Sequence, residues 1–129
     1  MTPSVQDYLK AILELSEESA PIKSIDIASV LGHSRASVSK AMNRLKDAGY
    51  ISKEKYSSIA LTDFGRKTAD EIKKRNQLIQ FFLTDILGVE VNTAKGDACR
   101  MEHAISIETA EKLEKYLLKD GLARETVNS

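Results

Sequence analysis

Apolar side chains recur every three to four residues over most of this chain, the spacing that places them on one face of an α-helix. The first such segment covers residues 4–18, and the second covers residues 24–32, with Ser24 as its N-cap and Gly32 closing it. A third helix is predicted over residues 35–48, with Ser34 as its N-cap. The pattern therefore predicts three helices before residue 50.

The apolar pattern changes after the third helix. Residues 50–55 and 57–61 are poor helix formers, and the second of these stretches alternates apolar and polar positions. Two short strands joined in a hairpin are predicted here. A short helix, a glycine-containing turn, an amphipathic helix and a hairpin together indicate a winged helix-turn-helix, whose second helix enters the DNA major groove.

Helical spacing returns at Thr62 and continues to the C-terminal part of the chain. One long helix is predicted over residues 62–87, a second from residue 92 or 93 to 104, and a third from the Ser106 cap through residue 117. The segment 79–83 is apolar around more than half of its circumference, so we expect helices to pack on both of its sides.

The predicted fold is mainly α, with an N-terminal winged helix-turn-helix followed by an all-helical dimerisation domain. We expect residues 1–62 to form a DNA-binding domain and residues 63–120 to form a metal-binding and dimerisation domain. Residues 121–129 are predicted to be a flexible tail.

Composition narrows the class of protein. The chain has 129 residues, of which 42% are hydrophobic and 29% are charged, as in a soluble globular protein. It shows neither a membrane-length apolar run nor a signal peptide, so a cytoplasmic protein without membrane partners is expected. The single cysteine excludes an internal disulfide and fits a reducing compartment.

Charge is unevenly distributed although the net charge is zero, with 19 basic and 19 acidic side chains. The segment between His33 and Lys55 contains six basic residues and only two acidic ones. A neutral chain with one basic lobe can bind phosphates through that lobe. The basic positions are Arg35, Lys40, Arg44, Lys46, Lys53 and Lys55.

The only cysteine, Cys99, lies close to Glu102 and His103, one of two histidines. On a helix these positions, i, i+3 and i+4, share one stripe of the surface. Thiolate, carboxylate and imidazole suit Fe²⁺, Co²⁺, Ni²⁺ or Zn²⁺, and a fourth ligand has to come from elsewhere. The alternative is structural: a buried cysteine beside a solvated Glu-His pair. A nucleophilic role for Cys99 lacks a glycine-rich turn nearby that could supply oxyanion donors.

Five segments, in order, resemble the DtxR/MntR family of metal-dependent repressors, and the likeness covers nearly the whole chain. They are residues 7–12 (Asp-Tyr-Leu-Lys-Ala-Ile), the helix-turn-helix, residues 61–66 (Leu-Thr-x-x-Gly-Arg), residues 82–88 (Phe-Leu-x-x-Ile-Leu-Gly) and residues 98–103 (Ala-Cys-Arg-Met-Glu-His). The resemblance implies a homodimer that binds a palindromic operator in double-stranded DNA when metal is bound. It corresponds to the short form, which has no SH3-like domain.

The resemblance also implies residue roles. Cys99, Glu102 and His103 would be metal ligands, and Asp7 takes the position of the family's N-terminal ligand. For Asp7 the alternative role is that of an acid favoured by the first-turn helix dipole. At the DNA, base edges are assigned to Ser34, Ala36, Ser37 and Lys40, and phosphates to Arg35, Ser39 and Arg44.

A second metal position of the family does not carry over. Lys10, Asn76, Gln80 and Lys95 stand where family members have ligands, and the two lysines oppose a second cation. One divalent metal ion per chain is therefore expected. Because Cys99 stands where the manganese branch has glutamate, Fe²⁺ is the expected cofactor, with Mn²⁺ as the alternative.

Three functional hypotheses remain open. The first is a metal-dependent DNA-binding repressor that controls iron or manganese homeostasis genes, with no enzymatic activity and no small-molecule substrate. The second is a regulator of the same family with a degenerate metal site, which binds DNA independently of metal. The third is a Cys/His hydrolase, which would lose turnover on Cys99→Ser.

Overall fold

The structure, a computed structural model, describes residues 3–18, 21–53 and 58–119. It confirms a mainly α fold with one small antiparallel sheet. The helices are α1 (Pro3–Ser16), α2 (Ser24–Leu31), α3 (Arg35–Asp47), α4 (Asp63–Phe81), α5 (Val91–Ala104) and α6 (Ile107–Lys119). A π-helical turn (Phe82–Ile86) follows α4, and the strands are β1 (Ile51–Lys53) and β2 (Ile59–Leu61).

The described residues divide into two compact units after Ile72. The first unit contains the predicted helix-turn-helix and hairpin. In its core, aliphatic side chains from α1, α2 and α3 meet those of the strands, and the fully buried members include Leu9, Ile12, Ile27, Val38 and Leu45. The predicted domain boundary between residues 62 and 63 stays a prediction.

Two turns of the first unit have the predicted geometry. Ser34 caps α3, because its hydroxyl oxygen accepts a hydrogen bond from the Ser37 backbone amide at 3.1 Å. Gly32 ends α2 in the left-handed region, with φ of 68°, which glycine adopts without the steric cost of a Cβ atom. Ser24 does not cap α2, contrary to prediction. The N-cap is Lys23, whose backbone amide donates to the Asp26 carboxylate at 2.9 Å.

The hairpin is shorter than predicted. Its strands pair antiparallel, with Ile51 opposite Leu61 and Lys53 opposite Ile59. Tyr50 and Ser58 lie outside the strands, while residues 54–57 of the predicted wing lie outside the described residues. The first predicted helix is also shorter, since α1 ends at Ser16 rather than at residue 18.

In the second unit, the C-terminal part of α4 packs against both α5 and α6, as predicted. Ile79 and Leu83 contact the small side chains Ala94 and Ala98, and Leu78 contacts Leu117. Phe82 packs against both clusters, and Phe81 packs against the one that contains Leu78 and Leu117. The apolar surface of this segment is thus covered from two sides.

Helix ends in the second unit differ in part from the prediction. The long helix is not regular to residue 87, because it changes to the π-helical turn at Phe82. Helix α5 begins at Val91 rather than at residue 92 or 93, and its N-cap is Glu90, whose carboxylate accepts from the Thr93 amide at 3.0 Å. Ser106 caps α6 as predicted, accepting from the Thr109 amide at 3.1 Å.

The predicted tail, residues 121–129, lies outside the described residues. Among the helices that the structure does describe, none combines the length and apolar character that crossing a bilayer requires.

Candidate metal centre and nucleic-acid interface

Helix α3 separates a buried face from an exposed one. Val38, Met42 and Leu45 turn into the core of the first unit, which fixes the orientation of the helix. All seven residues assigned to DNA by the resemblance are exposed: Ser34, Arg35, Ala36, Ser37, Ser39, Lys40 and Arg44. The face therefore offers cations and short hydroxyl side chains to solvent, as phosphate and base-edge contacts require.

Ser34 already has a structural task at the start of this helix. Besides capping α3, its hydroxyl donates to the Ser37 hydroxyl at 3.0 Å. To donate to a base edge, Ser34 would have to redirect its hydroxyl proton, whereas Lys40 and Arg44 take no part in this N-cap. The two basic residues are thus the better candidates for the larger share of DNA affinity.

Tyr8 links α1 to the turn before α3. Its hydroxyl oxygen lies 2.8 Å from Nδ1 of His33, and the two rings meet edge to face with centroids 5.5 Å apart. Burial raises the pKa of Tyr8, and the charge of Arg44 opposes that rise. Since His33 immediately precedes the N-cap Ser34, this contact ties the residue after Asp7 to the start of the candidate recognition helix.

Sequence reasoning did not find the pair of Tyr8 and His33. The residues are 25 positions apart, and helical periodicity carries no information about which side chains meet over such a distance. The only available signal was the scarcity of histidine, since the chain has two.

Helix α5 carries the three predicted donors, and two of them, the Cys99 thiol and the His103 imidazole, lie close together. The Cys99 sulfur lies 3.9 Å from Nε2 of His103, and both residues are half-buried. Glu102, between them on the helix, is 8% exposed and is the one buried charged side chain that the structure describes. A thiol and an imidazole of α5 are therefore close enough to share one ion, and the Glu102 carboxylate lies on the same turns of this helix.

The Glu102 carboxylate has a partner on α4. Nδ2 of Asn76 donates to its Oε2 at 2.7 Å, and Nε2 of Gln80 donates to Oδ1 of Asn76 at 2.5 Å. Asn76 and Gln80 are four residues apart on one helix, so their side chains are neighbours on its surface. The two amides and the carboxylate form a continuous hydrogen-bonded chain from α4 to α5.

The donor set on α5 fits a divalent ion of borderline softness. Bonds of about 2.3 Å to sulfur and 2.0–2.1 Å to an imidazole nitrogen allow those two atoms to be up to about 4.4 Å apart. The observed 3.9 Å is within that limit. A thiolate and an imidazole disfavour Mg²⁺ and Ca²⁺, which prefer oxygen ligands throughout.

The fourth predicted ligand, Asp7, lies in the first unit. It is a half-buried residue of α1, next to the buried Tyr8. The three predicted α5 ligands thus belong to the second unit, and the assignment of Asp7 continues to rest on the resemblance.

Two family models match the chain in sequence order. Residues 1–59 match the N-terminal DNA-binding domain of iron-dependent repressors. Residues 62–119 match the metal-binding and dimerisation domain of the same repressors. These two ranges include the candidate recognition helix and the candidate metal ligands respectively.

Known proteins agree with the two models. An HTH-type transcriptional regulator of Methanocaldococcus jannaschii is 35% identical over 92% of this chain and 96% of its own length. The transcriptional regulator MntR of Escherichia coli is 34% identical over 91% of this chain and 75% of its own. Among solved structures, the manganese regulator SloR superposes with a TM-score of 0.76 at 32% identity.

The coverage of these relatives is unequal. The chain matches nearly all of the M. jannaschii regulator, but it spans only about half of the SloR chain, 54%, although 91% of its own residues take part. The aligned half of SloR therefore corresponds to both units described above. On the match of both domain models and of these relatives, the chain belongs to the iron-dependent repressor family, whose members are metal-dependent transcriptional repressors rather than enzymes.

Proposed function

We propose that this protein is a metal-dependent repressor that binds double-stranded operator DNA in the cytoplasm when one divalent ion, Fe²⁺ first and Mn²⁺ as the alternative, is bound per chain. The observation that carries the proposal is the pair of a thiol and an imidazole 3.9 Å apart on α5, a helix that also carries a buried carboxylate. Such a donor set binds Fe²⁺ better than it binds hard ions.

Four residues would hold the ion: Asp7, Cys99, Glu102 and His103. Asp7 is included because it corresponds to the family's N-terminal ligand position in the resemblance, and its carboxylate would supply the fourth donor. A bound divalent cation supplies positive charge that offsets the negative charge of the thiolate and the two carboxylates. The positive charges of Lys10 and Lys95 disfavour a second ion.

The choice between iron and manganese rests on Cys99. Thiolate sulfur is a soft donor, whereas Mn²⁺ prefers carboxylate, carbonyl and water oxygens. SloR is a manganese regulator, so the Fe²⁺ proposed here differs from the metal of that structural relative. Control of iron or manganese homeostasis genes follows from the proposed metal.

The contact between Tyr8 and His33 gives a route from Asp7 to DNA. Ordering Asp7 would restrain the first turns of α1, and Tyr8, the next residue, is hydrogen-bonded to the residue that precedes the α3 cap. A ligand shifts such an equilibrium only by its differential affinity for the two arrangements. We therefore expect α1 to exchange its amide hydrogens faster in the metal-free protein.

DNA binding is assigned to the exposed face of α3. Arg44, Arg35 and Ser39 would contact phosphates, and Lys40 would contact guanine in the major groove, with Ser34, Ala36 and Ser37 at the neighbouring base edges. A homodimer would bind a palindromic operator with one such helix in each half-site. The second unit leaves large apolar side chains exposed, among them Ile107 at 72% and Leu87 at 57%, as a dimer-forming surface does.

The test is operator affinity with and without metal. A labelled duplex, selected from random sequence in the presence of Fe²⁺ under anaerobic conditions, is titrated with protein and followed by fluorescence anisotropy. We expect Fe²⁺ to tighten binding by about 5–150-fold, the usual range of allosteric coupling, and Cys99→Ala to abolish most of that gain.

A matched variant separates the DNA surface from the metal site. Arg44→Ala should weaken binding to all duplexes, reduce the salt dependence, and leave metal affinity unchanged. Equal operator affinity with Fe²⁺ and with chelator would contradict the proposal and support a regulator that binds DNA independently of metal.

A further inference from the structure

Glu102 of α5 is a buried charged side chain. A carboxylate that is 8% exposed has lost most of its hydration, and burial of a charge is costly unless hydrogen bonds or an ion replace the lost water. Asn76 provides one such hydrogen bond, to Oε2. The rotamer of Glu102 is therefore held from α4, an element that contributes none of the four assigned ligands.

The Glu102 carboxylate determines the direction of both hydrogen bonds in the series that joins Gln80, Asn76 and Glu102. A carboxylate only accepts hydrogen bonds, so the atom of Asn76 that faces Glu102 has to be the NH₂ group. The amide oxygen of Asn76 then faces Gln80, which in turn has to present its own NH₂ group. The arrangement Gln80 to Asn76 to Glu102 is thus the one order in which each contact joins a donor to an acceptor.

This order leaves Asn76 unsuited to bind a cation. Its oxygen accepts from Gln80 at 2.5 Å, and its NH₂ group, directed at Glu102, cannot coordinate a metal. Asn76 and Gln80 stand where the family resemblance places further ligands, yet here they act on a ligand instead of as ligands.

We propose that Asn76 and Gln80 are positioning residues, which hold Glu102 so that it presents a single oxygen to the metal and thereby favour Fe²⁺ over Mn²⁺. The inference rests on the proposed function, in which Glu102 is a ligand. Oε2 accepts a hydrogen bond from the Asn76 amide, and we assign coordination of the metal to Oε1. With one oxygen from Glu102 and one from Asp7, the site offers fewer oxygen donors than it would with a two-oxygen Glu102, whereas Mn²⁺ prefers sites rich in oxygen.

The experiment measures Co²⁺ and Mn²⁺ affinities anaerobically by competition with a chelator, with Co²⁺ as the spectroscopic probe for Fe²⁺. Asn76→Leu removes the donor at similar volume. We expect it to lower Co²⁺ affinity by about 10–100-fold, the usual effect of losing a partner of a metal ligand, and to reduce the ratio of Co²⁺ to Mn²⁺ affinity.

A double-mutant cycle identifies the positioning role. Gln80 reaches Glu102 only through Asn76, so Gln80→Leu should cost less than Asn76→Leu, and the double variant should bind Co²⁺ no more weakly than Asn76→Leu alone. Gln77→Leu is the matched control on the same helix, because Gln77 is likewise half-buried and is outside the hydrogen-bonded chain. It should leave both affinities unchanged.

Four results would overturn the inference. Strictly additive losses, or an Asn76→Leu variant with unchanged Co²⁺ affinity and metal preference, would show that the chain does not position Glu102. Saturation of the wild type at two equivalents, reduced to one by Asn76→Leu, would show that Asn76 is a ligand. If the wild type itself shows no sulfur-to-cobalt band, the proposed metal site fails, and the inference fails with it.

Discussion

The two units differ in what they bury. In the described residues of the first unit, the fully buried side chains are aliphatic or Met42, and the exposed face of α3 carries the charges. The second unit has smaller apolar clusters and encloses a carboxylate held by two amides. The apolar core of the first unit thus fixes the orientation of α3, whereas the second unit buries a charged side chain. This burial of a carboxylate supports the assignment of metal ligands to α5.

Gly65 is the position in the first unit where we expect substitution to disturb the packing most. A Cβ atom there would lie 1.8 Å from the backbone oxygen of Tyr50, an oxygen that also accepts from the Thr62 amide at 3.0 Å. Backbone cannot move aside as a flexible side chain can, so we expect Gly65→Ala to lower the free energy of unfolding by about 3 kcal/mol or more. Urea unfolding followed by circular dichroism measures this.

Gly96 in the second unit is the matched control. A Cβ atom at Gly96 would meet nothing closer than the Arg100 guanidinium, at 3.4 Å. Because alanine is the better helix former, Gly96→Ala should raise the free energy of unfolding by about 0.5–1 kcal/mol. Equal effects of the two substitutions would contradict the contrast in packing.

The hydrogen bond of Tyr8 is the polar contact by which the first unit would sense metal. Tyr8→Phe removes the hydroxyl that contacts His33, and we expect the free energy of unfolding to fall by about 0.5–1.5 kcal/mol. The metal-dependent gain in operator affinity should fall as well, while Co²⁺ affinity measured without DNA stays close to that of the wild type.

Tyr50→Phe makes the same chemical change in the same unit. Tyr50 stacks on Phe64, with ring centroids 4.9 Å apart, and among the described residues its hydroxyl has no hydrogen-bond partner. We expect neither stability nor metal response to change. A Tyr50→Phe variant that loses as much metal response as Tyr8→Phe would show that the contact with His33 carries no coupling.

We expect the Glu90 carboxylate to give the stability of the second unit a dependence on acidic pH. Hydrogen bonds from the backbone amides of Thr93 and Asn92 lower the pKa of this carboxylate, which is fully exposed. A pKa that is lower in the folded state stabilises the fold above the unfolded value of about 4.3, and this contribution is lost as pH falls below it through the folded value.

The variant Glu90→Gln retains an oxygen that can accept from Thr93 but does not titrate in this range. Its melting temperature should be slightly below that of the wild type at pH 7, and the difference should shrink below about pH 4. A difference in melting temperature that is independent of pH would show that the negative charge of Glu90 does not contribute to the stability of the cap.

Local sequence patterns were sufficient for most of the fold. Ser34 and Gly32 have side-chain or backbone properties that fix a helix end from within a few residues, and both ends are where they were predicted. The cap by Glu90 and the π-helical turn after α4 were not predicted. A glutamate has weak cap preference, and the π-helical turn contains Phe82 and Leu83, which pack against other helices.

Only those residues of the candidate site that are close together in the sequence could be predicted. Cys99, Glu102 and His103 lie within one and a half turns of a helix, so spacing alone placed them together. Asn76 and Glu102 are 26 residues apart, and no periodic pattern indicates that these two side chains share a hydrogen bond. The distinction between a ligand and the residue that positions it therefore required the structure.

The most direct test of the account is an anaerobic titration of the protein with Co²⁺, followed by absorption in the near-ultraviolet and visible ranges. The account predicts a sulfur-to-cobalt charge-transfer band that saturates at one equivalent per chain and is absent in Cys99→Ala. Saturation without that band, or no binding at all, would contradict the assignment of Cys99, Glu102 and His103 as the metal centre.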